Sequence, residues 1–165
     1  MSPLSEIEIL PFASSSDAEW AARTMADSDP WKTLGIGYDQ SLKFLSNDTR
    51  ERFLAVLGKQ PVGFLVLNMQ GAFIGYVQLV GVAPDARGKG VGRALIEYAE
   101  DRIFGVTPNV FICVSDFNRE ARAFYERLGY LKIGELRDFL VAGRSELLLR
   151  KTIGPIRSSP VTAIA

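Results

Sequence analysis

Apolar and polar residues alternate, or form short apolar runs, in seven segments of the chain, and both patterns are typical of β-strands. These segments lie at residues 6–11, 52–57, 62–69, 73–82, 109–114, 130–137 and 145–152. Short turns at 58–61 and 70–71 separate the second, third and fourth strands. The pattern predicts an antiparallel meander in the middle of the chain.

Four other segments carry apolar residues three or four positions apart, which is the spacing of one buried helix face. They lie near residues 18–25, 38–45, 91–103 and 121–128. N-cap candidates at 14–17 precede the first helix, and Gly129 ends the last. The third helix is expected to lead the chain through a right-handed crossover, which would place strand 109–114 parallel to strand 73–82.

Length and composition fit a single domain with a substantial core, because 47% of the 165 residues are hydrophobic. We expect a mixed α/β (α+β) domain over residues 1–152 and a loose tail at 153–165. Nineteen basic and nineteen acidic side chains cancel, so the net charge favours neither a nucleic acid nor an anionic membrane as partner. A homodimer is also possible, because the exposed edge strands and the closing hairpin could pair with those of a second copy of the chain.

The location expected from the sequence is the cytoplasm. Residues 1–6 lack the basic and apolar regions of a signal peptide, and the apolar stretches are too short to span a bilayer. Cys113 is the sole cysteine, which excludes an internal disulfide and agrees with a reducing compartment.

The chain contains no histidine. This excludes Ser-His-Asp and Cys-His nucleophilic sites as well as histidine-ligated zinc or iron, and no metal site is predicted. A general base must therefore be a carboxylate, a tyrosine, a neutral amine or a water molecule.

A glycine-rich segment at 87–92, Arg-Gly-Lys-Gly-Val-Gly, lies between a predicted strand and the predicted helix that starts near Val91. Glycines let the backbone approach a ligand closely, and the free N–H groups at a helix N-terminus attract anions. Arg87, Lys89 and Arg93 add positive charge. The segment predicts a phosphate-binding loop.

Spacing decides which phosphate ligand the loop suits. No Ser or Thr follows the Lys as a nucleoside-triphosphate loop requires, and the glycines run G-x-G-x-G in mid-chain, which matches a dinucleotide fingerprint poorly. The segment instead matches Q/R-x-x-G-x-G/A, and residues 118–130 match N-x-x-A-x-x-F/L-Y-x-x-x-G-F/Y. These two ordered motifs resemble those of the GNAT superfamily of acetyl-CoA-dependent N-acetyltransferases.

The resemblance implies a mostly antiparallel sheet of about seven strands with a splayed parallel pair and about four helices. Acetyl-CoA would bind where the strands 73–82 and 109–114 separate. Cofactor contacts are then expected at Val80, Gly81, Val82, Arg87, Gly88, Lys89, Gly90, Val91, Gly92, Arg93, Asn118 and Tyr125. Asn118 would also cap the last helix, Tyr125 would protonate the leaving thiolate, and the Val82 backbone N–H is the candidate oxyanion donor.

The general base and the acceptor site are less defined. In one branch of the superfamily, the N-terminal protein acetyltransferases, a glutamate stands five residues before the motif asparagine, but here that position is Cys113, for which a small core residue is the favoured interpretation. Asp116, Gln78 acting through water, or a carboxylate from the first half of the chain are the candidate bases. Trp31, Tyr38, Phe44 and Gln78 are the candidate acceptor-pocket residues.

The resulting hypothesis is acetyl transfer from acetyl-CoA to a primary amine, on a small molecule or a protein N-terminus, in a ternary complex. Two alternatives stay open at this point. One is a non-catalytic module that binds acyl-CoA as a sensor or interaction domain, and the other is a nucleotide-binding regulatory domain.

Overall fold

A computed structural model describes residues 6–157 and contains seven strands and four α-helices over that range. Their bounds are β1 Ile7–Pro11, α1 Ser15–Ala26, α2 Tyr38–Leu45, β2 Glu51–Leu57, β3 Gln60–Asn68, β4 Tyr76–Val82, α3 Val91–Phe104, β5 Asn109–Ser115, α4 Arg119–Arg127, β6 Leu131–Arg137 and β7 Ser145–Thr152. The predicted elements are present in the predicted order. None of the helices described is long and apolar enough to cross a membrane.

The strands form one sheet in the order β1-β2-β3-β4-β5-β7-β6. Neighbouring strands are antiparallel except β4 and β5, which are parallel and are joined through α3. The predicted meander and the predicted parallel pair are both confirmed. The mixed α/β fold expected from the sequence is therefore the fold that the chain adopts.

The two parallel strands, β4 and β5, are paired over only a short stretch. β4 and β5 pair only at Tyr76 with Phe111 and at Val77 with Ile112. On its other edge, β4 skips Gln78 in its register with β3, which is a local bulge. Bulges bend and twist a strand, so the remaining part of β4 leaves β5 and a gap opens through the sheet.

Each face of the sheet carries its own hydrophobic cluster, and the cluster that a strand residue joins shows which face its side chain is on. α3 and α4 pack on one face, where Val110, Ile112 and Val114 of β5 join the larger cluster. α1 and α2 cover the first half of the other face. Because side chains alternate along a strand, Cys113 and Ser115 lie on the face opposite to α3 and α4.

The predicted start of the fourth strand is wrong by three residues, because β4 begins at Tyr76 rather than at Phe73. Gly75 has φ +89°, and a Cβ there would lie 2.5 Å from the carbonyl oxygen of Asn109. The chain must turn tightly past β5 at this point, so residues 73–75 belong to the loop. The tail predicted at 153–165 is described only to residue 157, and residues 158–165 lie outside the described range.

Gly81 is the position on β4 where any side chain would collide with the core. A Cβ there would lie 2.4 Å from the Phe64 ring and 3.1 Å from Trp31. We expect Gly81→Ala to lower the free energy of unfolding by about 1 to 3 kcal/mol, the usual cost of overpacking. Urea denaturation measures this, with Gly134→Ala in β6 as control, because a Cβ at Gly134 meets nothing within 4 Å. Equal stability losses in both variants would contradict the packing assignment.

Candidate active site

The gap between β4 and β5 opens into a cleft of about 1210 Å³. The α1–α2 connection, the segment after β4, the start of α4 and the β6–β7 loop line its walls. The cleft therefore reaches both faces of the sheet, so two molecules entering from opposite sides could meet in the gap.

The predicted anion loop lies at one end of this cleft. Gly88 and Gly90 have φ of +72° and +83°, in the left-handed region that favours glycine. α3 begins at Val91 without a side-chain cap and without an acidic residue in its first turn. Within the described structure, the N–H groups of residues 88–93 have no backbone acceptor, so they are available to a bound anion.

Two of the three predicted cations line the cleft. Arg87 is exposed there, and Arg93 also lines it while donating to Glu97 Oε1 at 2.7 Å. Lys89 instead lines a separate hollow beside Glu6 and Leu57. The positive charge at the cleft therefore comes from arginine side chains and from the helix N-terminus.

The open edge of β4 presents backbone N–H groups to the gap. Ala83 N donates to Val62 O at 2.9 Å, and successive N–H groups of a strand point in opposite directions. The N–H groups of Val80 and Val82 therefore face β5 across the gap, whereas those of Gly81 face β3. Gly81 therefore makes no backbone hydrogen bond into the cleft, and its role there is to leave space by lacking a side chain.

Helix α4 and its N-cap contribute two of the predicted residues to the cleft lining, Tyr125 and Asn118. Asn118 Oδ1 accepts a hydrogen bond from Ala121 N at 3.2 Å, which confirms its predicted role as N-cap. Tyr125 is 6% exposed and its ring packs edge-on against those of Phe124 and Tyr130. Burial raises the pKa of the Tyr125 phenol well above its ordinary value, so the group keeps its proton over the physiological range.

Three of the four predicted acceptor residues line the opposite part of the cleft: Trp31, Phe44 and Gln78. Gln78 is held in place because its Oε1 accepts from Arg50 Nε at 2.7 Å, and the Arg50 guanidinium stacks 4.3 Å from the Phe44 ring centre. Tyr38 does not line the cleft, and its ring packs beneath the Arg23 guanidinium at 6.0 Å.

A buried carboxylate in the cleft was missed by the sequence predictions. Glu146 on β7 is 5% exposed, and its Oε1 accepts a hydrogen bond from Ser115 Oγ at 2.6 Å. Burial raises the pKa of Glu146, the Ser115 hydrogen bond lowers it, and the nearby charge of Asp116 raises it further. The signal in the sequence is an acidic residue directly before the apolar run Leu147–Leu149 of β7.

Tyr76 and Cys113 lie beside Glu146 on the floor of the cleft. Burial is the main cause that raises the pKa of the Tyr76 phenol, and the neighbouring Cys113 and Glu146 add to it. Burial likewise raises the pKa of the Cys113 thiol, so it stays protonated. Asp116, the predicted base candidate, is exposed outside the cleft lining, and it accepts from Ser145 N at 3.1 Å.

The sequence model of the Acetyltransferase (GNAT) family matches residues 13–130. The chain belongs to this family. The matched residues contain the glycine-rich loop, both strands of the gap and α4. They end before β6 and β7, so Glu146 and the β6–β7 loop lie outside the match.

Relatives of this GNAT chain are acetyltransferases. It is 35% identical over 88 residues to a peptidyl-lysine N-acetyltransferase of Escherichia coli, covering 53% of the chain and 48% of that protein. It is 47% identical over 58 residues to a 5-NmdU N-acetyltransferase of Pseudomonas phage PaMx11, covering 34% of the chain and 39% of that protein. The chain thus spans about half the length, or less, of the curated relatives that it matches.

Among solved structures, the GNAT fold of this chain is similar to that of the ribosomal-protein-S18-alanine N-acetyltransferase of Escherichia coli. The TM-score is 0.70 at 18% identity, and the alignment covers 94% of this chain and 99% of that protein. At this identity the likeness concerns the fold.

Proposed function

We propose that this protein transfers an acetyl group from acetyl-CoA to a primary amine by direct attack within a ternary complex. The observation that carries the proposal is the gap through the sheet. It joins a cationic loop of free N–H groups on one side to half-buried Tyr76 and Cys113 and buried Glu146 on the other.

The acetyl donor would be held mainly by backbone. The N–H groups of residues 88–93 suit the diphosphate of coenzyme A, with Arg87 and Arg93 beside it. The unpaired edge of β4 suits the amide-containing arm, which can hydrogen-bond to it as an added strand. The bound donor would supply an activated thioester carbonyl at the gap.

The chain's own groups would then serve each stage of transfer. The Val82 N–H faces the gap and can stabilise negative charge that develops on the carbonyl oxygen. Tyr125 can donate its proton to the departing thiolate. In unperturbed terms this transfer, from a phenol of pKa ~10 to a thiolate whose acid has pKa ~8.5, is uphill by roughly 2 kcal/mol. Burial raises the pKa of the Tyr125 phenol, so this proton transfer requires that burial raise the pKa of the coenzyme A thiol by a larger amount.

Release of free thiol from acetyl-CoA, measured against a panel of primary amines, tests the function. Stabilisation by coenzyme A in thermal unfolding is the parallel measurement. Amine-dependent release together with stabilisation supports transfer. Stabilisation with no release would favour the acyl-CoA sensor, and stabilisation by ATP or NAD but not by coenzyme A would favour a nucleotide-binding domain.

Arg87→Ala is expected to weaken coenzyme A binding by about 5- to 10-fold, since one exposed cation contact contributes about 1 kcal/mol. Backbone N–H groups would still hold the diphosphate, so binding should persist. Calorimetric titration measures the change, with Lys59→Ala in the β2–β3 turn as control for loss of one positive charge. Unchanged affinity in Arg87→Ala would count against the loop as the diphosphate site.

A further inference from the structure

The half of the cleft that faces away from α3 and α4 combines apolar walls with one buried charge. Six of its apolar residues come from the α1–α2 connection, the β5–α4 connection and the β6–β7 loop: Trp31, Leu34, Ile36, Phe117, Phe139 and Leu140. Phe139 and Leu140 are 57% and 51% exposed and are adjacent in sequence, so together they form a small exposed apolar patch on the cleft lining. Such a surface suits a ligand that carries an apolar group.

Glu146 lies at the inner end of this apolar surface. Ser115 and Glu146 are paired across β5 and β7, and their hydrogen bond places both side chains on one face of the sheet. Alternation along β5 puts Cys113 on that face as well, while Tyr125 belongs to the core of the opposite face. The Glu146 carboxylate and the Tyr125 phenol therefore lie on opposite faces of the sheet at the gap.

Other carboxylates of the cleft lining cannot play the same part. Asp29 is exposed, and its Oδ1 already accepts from Thr33 N and Thr33 Oγ1 at 3.1 and 2.6 Å. Glu120 is exposed in the first turn of α4. Among the described residues that line the cleft, Glu146 is thus the one buried carboxylate.

We infer that the acceptor is a primary amine carrying a single positive charge and an apolar, aromatic-sized body, with its nitrogen bound and deprotonated by Glu146. This inference rests on the proposed acetyl transfer. The ammonium group of such an acceptor would form an ion pair with the buried Glu146 carboxylate, and its apolar body would cover Phe139 and Leu140. A polyamine would bring further charges to walls that offer them no buried partner.

The reaction requires a proton acceptor, and Glu146 can serve as that group. An ammonium acceptor loses one proton to Glu146 before attack, and this proton passes on to solvent. Its nitrogen then forms a bond to the thioester carbonyl carbon as the carbon–sulfur bond breaks. The second nitrogen proton passes to the ionised Glu146 on attack and then to solvent, while the thiolate gains a proton from Tyr125, which takes one back from solvent. One acetylated amine, one thiol and one proton result.

An amine panel separates the acceptor class from the function itself. With acetyl-CoA, 2-phenylethylamine should show a kcat/KM about 10- to 100-fold above that of 1,4-diaminobutane or a lysine-containing peptide, because burial of the ring favours the complex. It should also stabilise the coenzyme A complex in thermal unfolding. A preference for diaminobutane or the peptide would overturn the inference and leave acetyl transfer intact. Absence of thiol release from every amine would contradict the transfer as well.

Glu146→Gln tests the role of the carboxylate, since the amide keeps the size of the side chain and can still accept from Ser115. We expect kcat to fall by about 100-fold or more, while stabilisation by coenzyme A is retained. Glu135→Gln, an exposed carboxylate on β6, is the control and should retain wild-type turnover. Wild-type kcat with Glu146→Gln would overturn the assignment.

A pH profile distinguishes proton transfer from a packing role. Glu146 must be ionised to accept a proton, and its pKa is raised above the ordinary glutamate value, so wild-type kcat/KM should fall as pH drops through that raised value. Tyr76, Cys113 and Asp116 are the titratable groups around it, and the first two stay protonated over this range. Glu146→Gln should lack this acid limb. The same limb in the variant would overturn the role.

Phe139→Ala tests the apolar wall at an exposed loop position, where folding should be unaffected. We expect KM for 2-phenylethylamine to rise by about 10-fold with little change in kcat, and the kinetics with diaminobutane to stay the same. Equal changes with both amines would contradict the assigned contact.

Discussion

Gly88→Asp is expected to weaken binding of coenzyme A by on the order of 100-fold. Gly88 lines the anion end of the cleft among free N–H groups, and a carboxylate there would repel the diphosphate. Two like charges 4 Å apart repel by about 1 to 4 kcal/mol between bulk water and a protein surface. Calorimetric titration with coenzyme A measures the loss, and thermal unfolding of the free protein shows whether the fold is kept.

Two variants separate charge from backbone strain at this position. Gly58 in the β2–β3 turn has φ +63° and open space around it, as Gly88 has, so Gly58→Asp carries the same strain away from the cleft. Gly88→Asn keeps the shape without the charge. Gly58→Asp should bind coenzyme A normally, and Gly88→Asn should bind far better than Gly88→Asp. Equal loss in the Asn and Asp variants would show that the charge is not what matters.

Tyr125→Phe is expected to lower kcat by about 100-fold and to leave the affinity for acetyl-CoA nearly unchanged. The substitution removes the hydroxyl that can protonate the leaving thiolate and keeps the ring that packs on Phe124 and Tyr130. Steady-state kinetics with a fixed amine measure the effect, and coenzyme A titration checks binding.

Tyr130→Phe is the matched control for loss of a buried phenol in the same aromatic cluster. Tyr130 OH donates to Glu100 Oε1 at 3.1 Å, and Tyr130 lies outside the cleft lining. This variant should lose about 0.5 to 1.5 kcal/mol of stability, the usual value of one hydrogen bond, and keep its turnover. Full turnover in Tyr125→Phe would reduce Tyr125 to a packing residue.

The elements were predictable because their signals are local. The stripe on α3, the cap at Asn118 and the alternation in the meander each depend on residues close in sequence. The glycine-rich loop is predictable for the same reason, since strand, turn and helix start follow one another directly. The predicted start of β4 was wrong because Gly75 lies against Asn109. This contact joins residues 34 positions apart, so no local sequence pattern contains it.

The part of the cleft lined by the α1–α2 connection and the β6–β7 loop was less predictable because it is assembled from distant segments. Ser115 and Glu146 meet only because β7 inserts between β5 and β6 in the sheet. Tyr38 and Lys89 carry suitable side chains, but the folded chain places them beside Arg23 and at a separate hollow. Residue type and spacing thus predicted a glycine-rich loop that lies on the cleft, whereas side-chain direction decides which of the other residues line it.

Titration of nitrogen-15-labelled protein with coenzyme A, followed through its backbone amide signals, tests the loop directly. The amides of Gly88, Gly90 and Gly92 should shift as coenzyme A saturates the protein, because their N–H groups receive the diphosphate. Those of Gly58 and Gly71, in turns away from the cleft, should stay in place. Saturation with the three loop glycines unmoved would contradict the account.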